Sequence, residues 1–178
     1  MIAIDTNILA RFYCEDPDDP EAKRQRPAAR RVVVDSPALF VPLTVVLELE
    51  WVMRGFYEVG REGFCAVVDH LLGMGHVTVE RWEAVKDAVE LHRTGVDFAD
   101  ALHLSTSRGC ESLISFDRSF IRAFARSGAK PAVSLPRSKG GRPGGSSLNG
   151  NPGRLPAHKP GLGLSGPSMR WLSRSFRT

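Results

Sequence analysis

Six carboxylates in this chain stand where a charge needs a reason. Asp5 closes a short apolar run at 1–5, and Asp117 follows another at 112–115. In open parallel sheets ligands gather beyond the carboxyl ends of the strands, which makes both acids candidates. An Asp at a strand end is equally an ordinary N-cap for the helix that follows. Glu48 lies inside Val45-Val46-Leu47-Glu48-Leu49, where a charge is costly unless it is paired or metal-bound. Glu50 sits two residues on, roughly 200° round a helix, so the two cannot serve one pocket. Glu48 is assigned to the pocket and Glu50 to solvent. Asp97 and Asp100 open a helical run, Asp97-Phe98-Ala99-Asp100-Ala101-Leu102-His103. A capping role explains Asp97. Asp100 points out of the first helical turn toward any nearby cation and is read as a metal ligand.

Acids brought together repel one another, so a pocket of four either takes up protons or is filled by cations. An all-oxygen donor set suits a hard divalent ion such as Mg²⁺, which keeps several waters when few carboxylates hold it. Such an ion lowers the pKa of water and offsets negative charge at a reacting phosphoryl group. No histidine is then needed as general base, and His103, one turn beyond Asp100, reads as a structural or surface residue.

The elements that would position these acids follow from periodicity and punctuation. Strands are expected at 1–5, 39–41, 76–80, 112–115 and 132–135. Helices are expected at 6–13, 21–34, 43–54, 61–72, 82–92, 98–107 and 118–127, with a cap for the third near Thr44 and Asp97 as N-cap of the sixth. Gly55, Gly73, Gly95, Gly109 and Gly128 mark the ends of helices. Strands alternating with helices predict an α/β sandwich with a mostly parallel sheet.

Four stretches occur in a telling order: Ile4-Asp5-Thr6-Asn7-Ile8-Leu9, Val46-Leu47-Glu48-Leu49, Val96-Asp97-Phe98-Ala99-Asp100-Ala101-Leu102 and Ile114-Ser115-Phe116-Asp117-Arg118-Ser119-Phe120. Together they resemble the PIN domain, and most of all the VapC toxins of bacterial toxin–antitoxin operons, over positions 1–136. The resemblance implies a three-layer α/β/α fold around a parallel sheet. It implies an endoribonuclease in which Asp5, Glu48, Asp100 and Asp117 hold Mg²⁺ or Mn²⁺, with Asp5 and Asp100 the principal ligands. RNA would be cut by in-line attack of metal-activated water, with no covalent enzyme intermediate. Thr6 and Asn7 would support Asp5, and Ser115 stands where the family usually has Thr, a mild departure that keeps the hydroxyl. The implied partners are an RNA substrate (transfer RNA as the family-level guess), a cognate antitoxin and a second copy of the chain. Trp51, Phe56 and Tyr57 are candidates for those contacts or for core packing.

Substrate grip is expected from two basic groups, Arg24, Arg26, Arg30 and Arg31 in one and Arg118 and Arg122 in the other, with Arg30 and Arg118 the leading candidates. A solvated helix face explains them equally well. The net charge of +4 is unevenly placed. Positions 137–178 carry eight Lys or Arg and no acid, leaving sixteen basic against twenty acidic residues in 1–136, a net of −4. An acidic domain that handles RNA needs cations to offset its own field. The stretch 137–178 holds nine Gly and five Pro, a composition expected to stay disordered, either as a basic RNA-contacting arm or as an inert extension. Trp171 and Phe176 offer a thin case for an anchor within it.

Apolar runs are too short for a bilayer span and the N-terminus lacks signal-peptide character, so a soluble cytoplasmic protein is expected. Cys14, Cys65 and Cys110 are widely spaced and read as small buried residues rather than a disulfide or zinc framework. Two rival functions remain. A haloacid-dehalogenase-type phosphatase would need a second Asp two residues after Asp5, where this chain has Asn7. A PIN domain without catalysis, binding RNA or protein only, would keep the fold but not the chemistry.

Overall fold

The computed structural model of the chain describes residues 1–128 and 130–136. The disorder and the anchor expected within 137–178 lie outside these residues. The order of elements is β1 (Ile2–Ala3), α1 (Thr6–Tyr13), α2 (Pro20–Asp35), β2 (Leu39–Val41), α3 (Leu43–Gly55), α4 (Arg61–Gly73), β3 (Val77–Val79), α5 (Trp82–Arg93), α6 (Phe98–Thr106), β4 (Ser112–Ile114), α7 (Arg118–Ser127) and β5 (Ala132–Ser134). This is the α/β class that the alternation implied, and every strand pairing is parallel. The strands form two sheets rather than one, β1-β2-β3 and β4-β5. Ile2 faces Leu39 and Val41 faces Val79 in the first, and Ser112 faces Ala132 in the second.

Short polar residues at the junctions explain where the helices begin. Asp5 accepts from the Ile8 N–H at 3.2 Å, and Asp19 from the Glu21 N–H at 2.9 Å with Pro20 opening α2. Asp97 accepts from the Ala99 N–H at 3.0 Å to start α6, and Asp117 from the Ser119 N–H at 2.7 Å to start α7. Gly95 at φ +109° and Gly128 at φ +64° supply the left-handed conformations after α5 and α7.

α3 begins differently. Its N-cap is Pro42, which has no side-chain acceptor, and Thr44 does not cap it. The carboxylate of Glu80, just past β3, accepts from the Leu43 N–H at 2.8 Å, while the Glu80 N–H donates to the Val41 carbonyl at 2.9 Å. Glu80 therefore fastens the end of β2 to the start of the next helix and places its negative charge at the positive end of that helix. Glu80→Ala should cost about 1 kcal/mol by urea titration, with Glu80→Gln recovering part of the loss. An unchanged midpoint in the alanine variant would mean that water caps the helix as well.

The core is built from the inward faces of these elements: Leu9, Leu39, Val46, Leu49, Met53 and Phe64 are essentially inaccessible. Phe64 meets Phe98 edge-on at 4.7 Å, which ties α4 to the start of α6. A satellite cluster of Leu104, Phe120 and Phe124 packs α6 against α7, with Leu113 and Val133 bringing in β4 and β5. Cys14 and Cys65 are buried as expected, but Cys110 is exposed. It lies in the turn after α6, where no element covers it. Among the described residues no helix is long and apolar enough to cross a membrane.

Candidate active site

Two of the sequence-assigned acids are joined through a threonine. Asp5 stands exposed at the end of β1, one carboxylate oxygen capping α1 and the other 3.4 Å from the Asn7 amide. The next residue, Thr6, is buried, and its hydroxyl donates to Glu48 Oε2 on α3 at 2.5 Å. A donor this close to an ionised oxygen is a charge-assisted bond, and it fixes the glutamate beside the β1–α1 junction. Thr6 and Asn7 both reach acids of the site, with Thr6 serving Glu48 and Asn7 serving Asp5.

Glu48 is nonetheless exposed, and Glu50 is the buried one at 5%. This reverses the solvent assignment made for Glu50. It lies on the same face as Val46 and Met53, which pack into the core, and Arg54 one turn on supplies its counter-charge at 2.7 Å. An i,i+4 acid–base pair was the available sequence signal. The bland hydrophobicity of α3 hid which face was inward.

The other two acids, at the start of α6 and just after β4, lie within electrostatic reach of each other. Asp100 is half-buried, and burial raises its carboxyl above the ordinary 3.8. The negative charges of Asp97 and Asp117 raise it further, while His103 pulls it back. Asp117 is exposed and moves the opposite way. The Ser119 hydroxyl and the Phe120 and Ser119 N–H groups all donate to it and hold its carboxyl below the ordinary range, with Arg122 adding to the effect. Ser115 accepts from the Asp117 N–H at 3.0 Å, which shapes the turn that carries the acid. Asp97 also favours the charged form of Arg54, so the Glu50–Arg54 pair on α3 lies within electrostatic reach of the α6 start.

The site is therefore two halves: Asp5 with Glu48, which is hydrogen-bonded by the residue next to Asp5, and Asp100 with Asp117, coupled through their fields. Among the described residues no three His, Cys, Asp or Glu side chains stand close enough together to hold a metal ion between them. The four acids do not form a ready-made cage. Their chemistry still fits a hard cation, because the donors are all oxygen and a cation would offset both the burial of the Asp100 charge and its repulsion by Asp97 and Asp117. An ion that keeps part of its water needs few direct protein ligands.

The basic residues divide as well. Arg24 and Arg26 are engaged by Glu21 and Glu15. Arg30 lines a cleft of about 470 Å³ with Cys14, Lys23, Arg26 and Pro27, and none of the four acids lines it. Arg118 and Arg122 are exposed on α7, directly after Asp117. His103 is exposed, in keeping with its reading as a structural or surface residue, and its charge reaches Asp100. Sequence reasoning gave no role to Glu80 or to Arg11, which is buried at 4%.

A sequence model of the PIN domain matches residues 2–125. Among solved structures, that of Mycobacterium tuberculosis VapC20, described as a Sarcin-Ricin loop cleaving toxin, is similar over 72% of this chain and 96% of that one. The identity is 19% and the TM-score 0.34. No curated protein matches the chain.

Proposed function

The chain belongs to the PIN domain family, and from that premise we propose that residues 1–136 are a divalent-metal-dependent endoribonuclease, the toxin of a toxin–antitoxin pair. The observation that carries the proposal is the charge balance at Asp100, held protonation-prone by burial and by its acidic neighbours. A protein keeps such repulsion where a ligand relieves it.

In this reading Asp5 and Asp100 are the principal oxygen ligands, with Glu48 and Asp117 completing the site or holding its waters. Thr6 keeps the Glu48 carboxylate in place. The bonds from Ser119 and Phe120 keep Asp117 ionised, so it presents a full negative charge at neutral pH. Mg²⁺ or Mn²⁺ would lower the pKa of water and offset phosphoryl charge. The chain's part is to orient the phosphodiester for in-line attack by water, with Arg118 and Arg122 on its phosphates. The substrate is RNA (transfer RNA as the family-level choice), in the cytoplasm. The partners are a cognate antitoxin and a second copy of the chain, with the exposed Trp51 and Phe56 available for such contacts.

A second reading, a PIN domain that binds without cutting, is favoured by the open spacing of the acids among the described residues. One experiment separates the two. The full chain and residues 1–136, each with and without Asp5→Asn, are incubated with structured RNA in Mg²⁺, Mn²⁺ or EDTA. Asn also serves as an N-cap, so the substitution tests the charge and leaves α1 its start. Cleavage lost in EDTA and in the variant supports the nuclease. Binding without cleavage in either metal supports the silent module.

A further inference from the structure

We propose that Phe116 is a stacking platform for an unpaired base of the RNA beside the acidic site, so that the enzyme selects strands or loops over duplex. The inference rests on the ribonuclease reading above and adds a specificity residue to it.

Phe116 is 84% exposed, and it lies between Ser115 and Asp117. Single exposed apolar residues are common and need no explanation. This one differs in how it is held. The Ser115 N–H donates to the Ser134 carbonyl at 3.0 Å, the Asp117 N–H donates to Ser115 Oγ at 3.0 Å, and the Asp117 carboxylate binds the start of α7. Hydrogen bonds on both sides fix the backbone that carries the ring, so little main-chain freedom remains to be lost on binding. Among the described residues the ring has no aromatic contact.

The flanking groups identify the occupant. Asp117 follows the ring directly in the chain and is in electrostatic contact with Asp100. Just beyond it, Arg118 and Arg122 lie exposed on successive turns of α7, and neither makes an ion pair among the described residues. An aromatic face, an acid and two exposed cations in succession along the chain match a nucleotide whose phosphates meet the arginines and whose base lies on the ring. A paired base keeps its faces inside the helical stack, whereas an unpaired one presents a face to an aromatic side chain. Ile114 on β4 is also exposed, as is Leu135, which follows Ile114's strand partner Ser134, so a self-contact through this surface is the alternative to be tested.

The full chain carrying Asp5→Asn is titrated by fluorescence anisotropy with a labelled hairpin RNA bearing an unpaired loop, and with a fully paired duplex of similar length. Phe116→Ala should weaken loop binding roughly tenfold or more, while Phe116→Trp retains it and duplex binding is unchanged by either. With Asp5 intact, the alanine variant should raise KM more than it lowers kcat. Equal loop affinity with and without Phe116→Ala, when the chain with Asp5 intact cuts RNA normally, overturns the platform and leaves the nuclease standing. A chain that cuts no RNA even with Asp5 intact, with the loop-specific loss still present, removes the nuclease and keeps the platform. A loss of affinity that appears only together with a change of oligomeric state in sedimentation overturns the platform in favour of a self-contact.

Discussion

Asp100→Asn should abolish RNA cleavage and at the same time raise the melting temperature of the metal-free protein at neutral pH. The first effect follows from the role proposed for Asp100 as a principal oxygen ligand. Metal-assisted charge stabilisation contributes several kcal/mol to such a transition state, so a loss of about 10³-fold or more is expected. The second follows from the direction of the carboxyl's shift. Burial, with the charges of Asp97 and Asp117 behind it, raises Asp100 above its ordinary 3.8, so the folded chain holds this proton more tightly than the unfolded one. Between 3.8 and the raised value the folded state carries the extra proton, and stability falls as pH rises through that window. Above the window the full cost of the charge is present, and Asn removes it. The melting advantage of the variant should therefore be full near pH 7 and vanish in acid below the unfolded value. Differential scanning calorimetry in EDTA across pH 4–8 measures this directly. Adding Mg²⁺ should raise the melting temperature of the parent more than that of the variant. A variant that still cleaves RNA, or that melts lower than the parent at pH 7, would take Asp100 out of the site.

The opposite result is expected at Asp117, because hydrogen bonds from Ser119 and Phe120 lower its carboxyl. That stabilisation is present above the ordinary carboxylate range and is lost as pH falls through the lowered value. Two acids of one site thus contribute to stability with opposite signs. This follows from where they sit, one at the half-buried start of α6 and the other at an exposed helix cap.

How much of this was legible in the sequence depended on whether a residue acts locally. Asp97 declared its cap role by its spacing to the helix it starts, and the ends of α1 and α7 were equally local. Thr6 was legible as a supporting residue, but its partner, forty-two positions away on α3, was not. Glu80 was silent for the same reason. It caps a helix thirty-seven residues upstream, and no window of sequence contains both groups. Glu48 and Glu50 were separated correctly by angle, but Glu50 was assigned to solvent and is buried. In a helix apolar on nearly every side, the inward face is set by what packs on it, so the hydrophobic pattern cannot rank two glutamates. The splitting of the strands into two sheets was hidden too, since alternation predicts strands and leaves their pairing open.

Arg11 shows the same blindness at its most costly, and Arg11→Ala should destabilise the chain by about 3–5 kcal/mol. Its guanidinium is buried at 4% on α1 and donates in three directions. Nη2 binds Asp19, the cap of α2, at 3.1 Å, Nη1 binds the Tyr57 hydroxyl at 2.8 Å, and Nε binds Gln25 at 3.3 Å. One side chain thereby joins α1, which follows Asp5, to α2 and to the turn after α3, which carries Glu48. Removing it strands the largely buried Asp19 carboxylate without its counter-ion, and an uncompensated buried charge costs more than the pair was worth. Against a typical total of about 5–15 kcal/mol, that loss is a large share of the stability of a domain this size. Arg11→Met combined with Asp19→Asn should be less destabilised than the sum of the two single variants, because Asn still caps α2 while the unpaired charge is gone. Urea titration of the four proteins completes the cycle. A single-variant loss under about 1 kcal/mol would mean that water replaces the guanidinium. Retained stability with lost cleavage would instead place Arg11 in the chemistry.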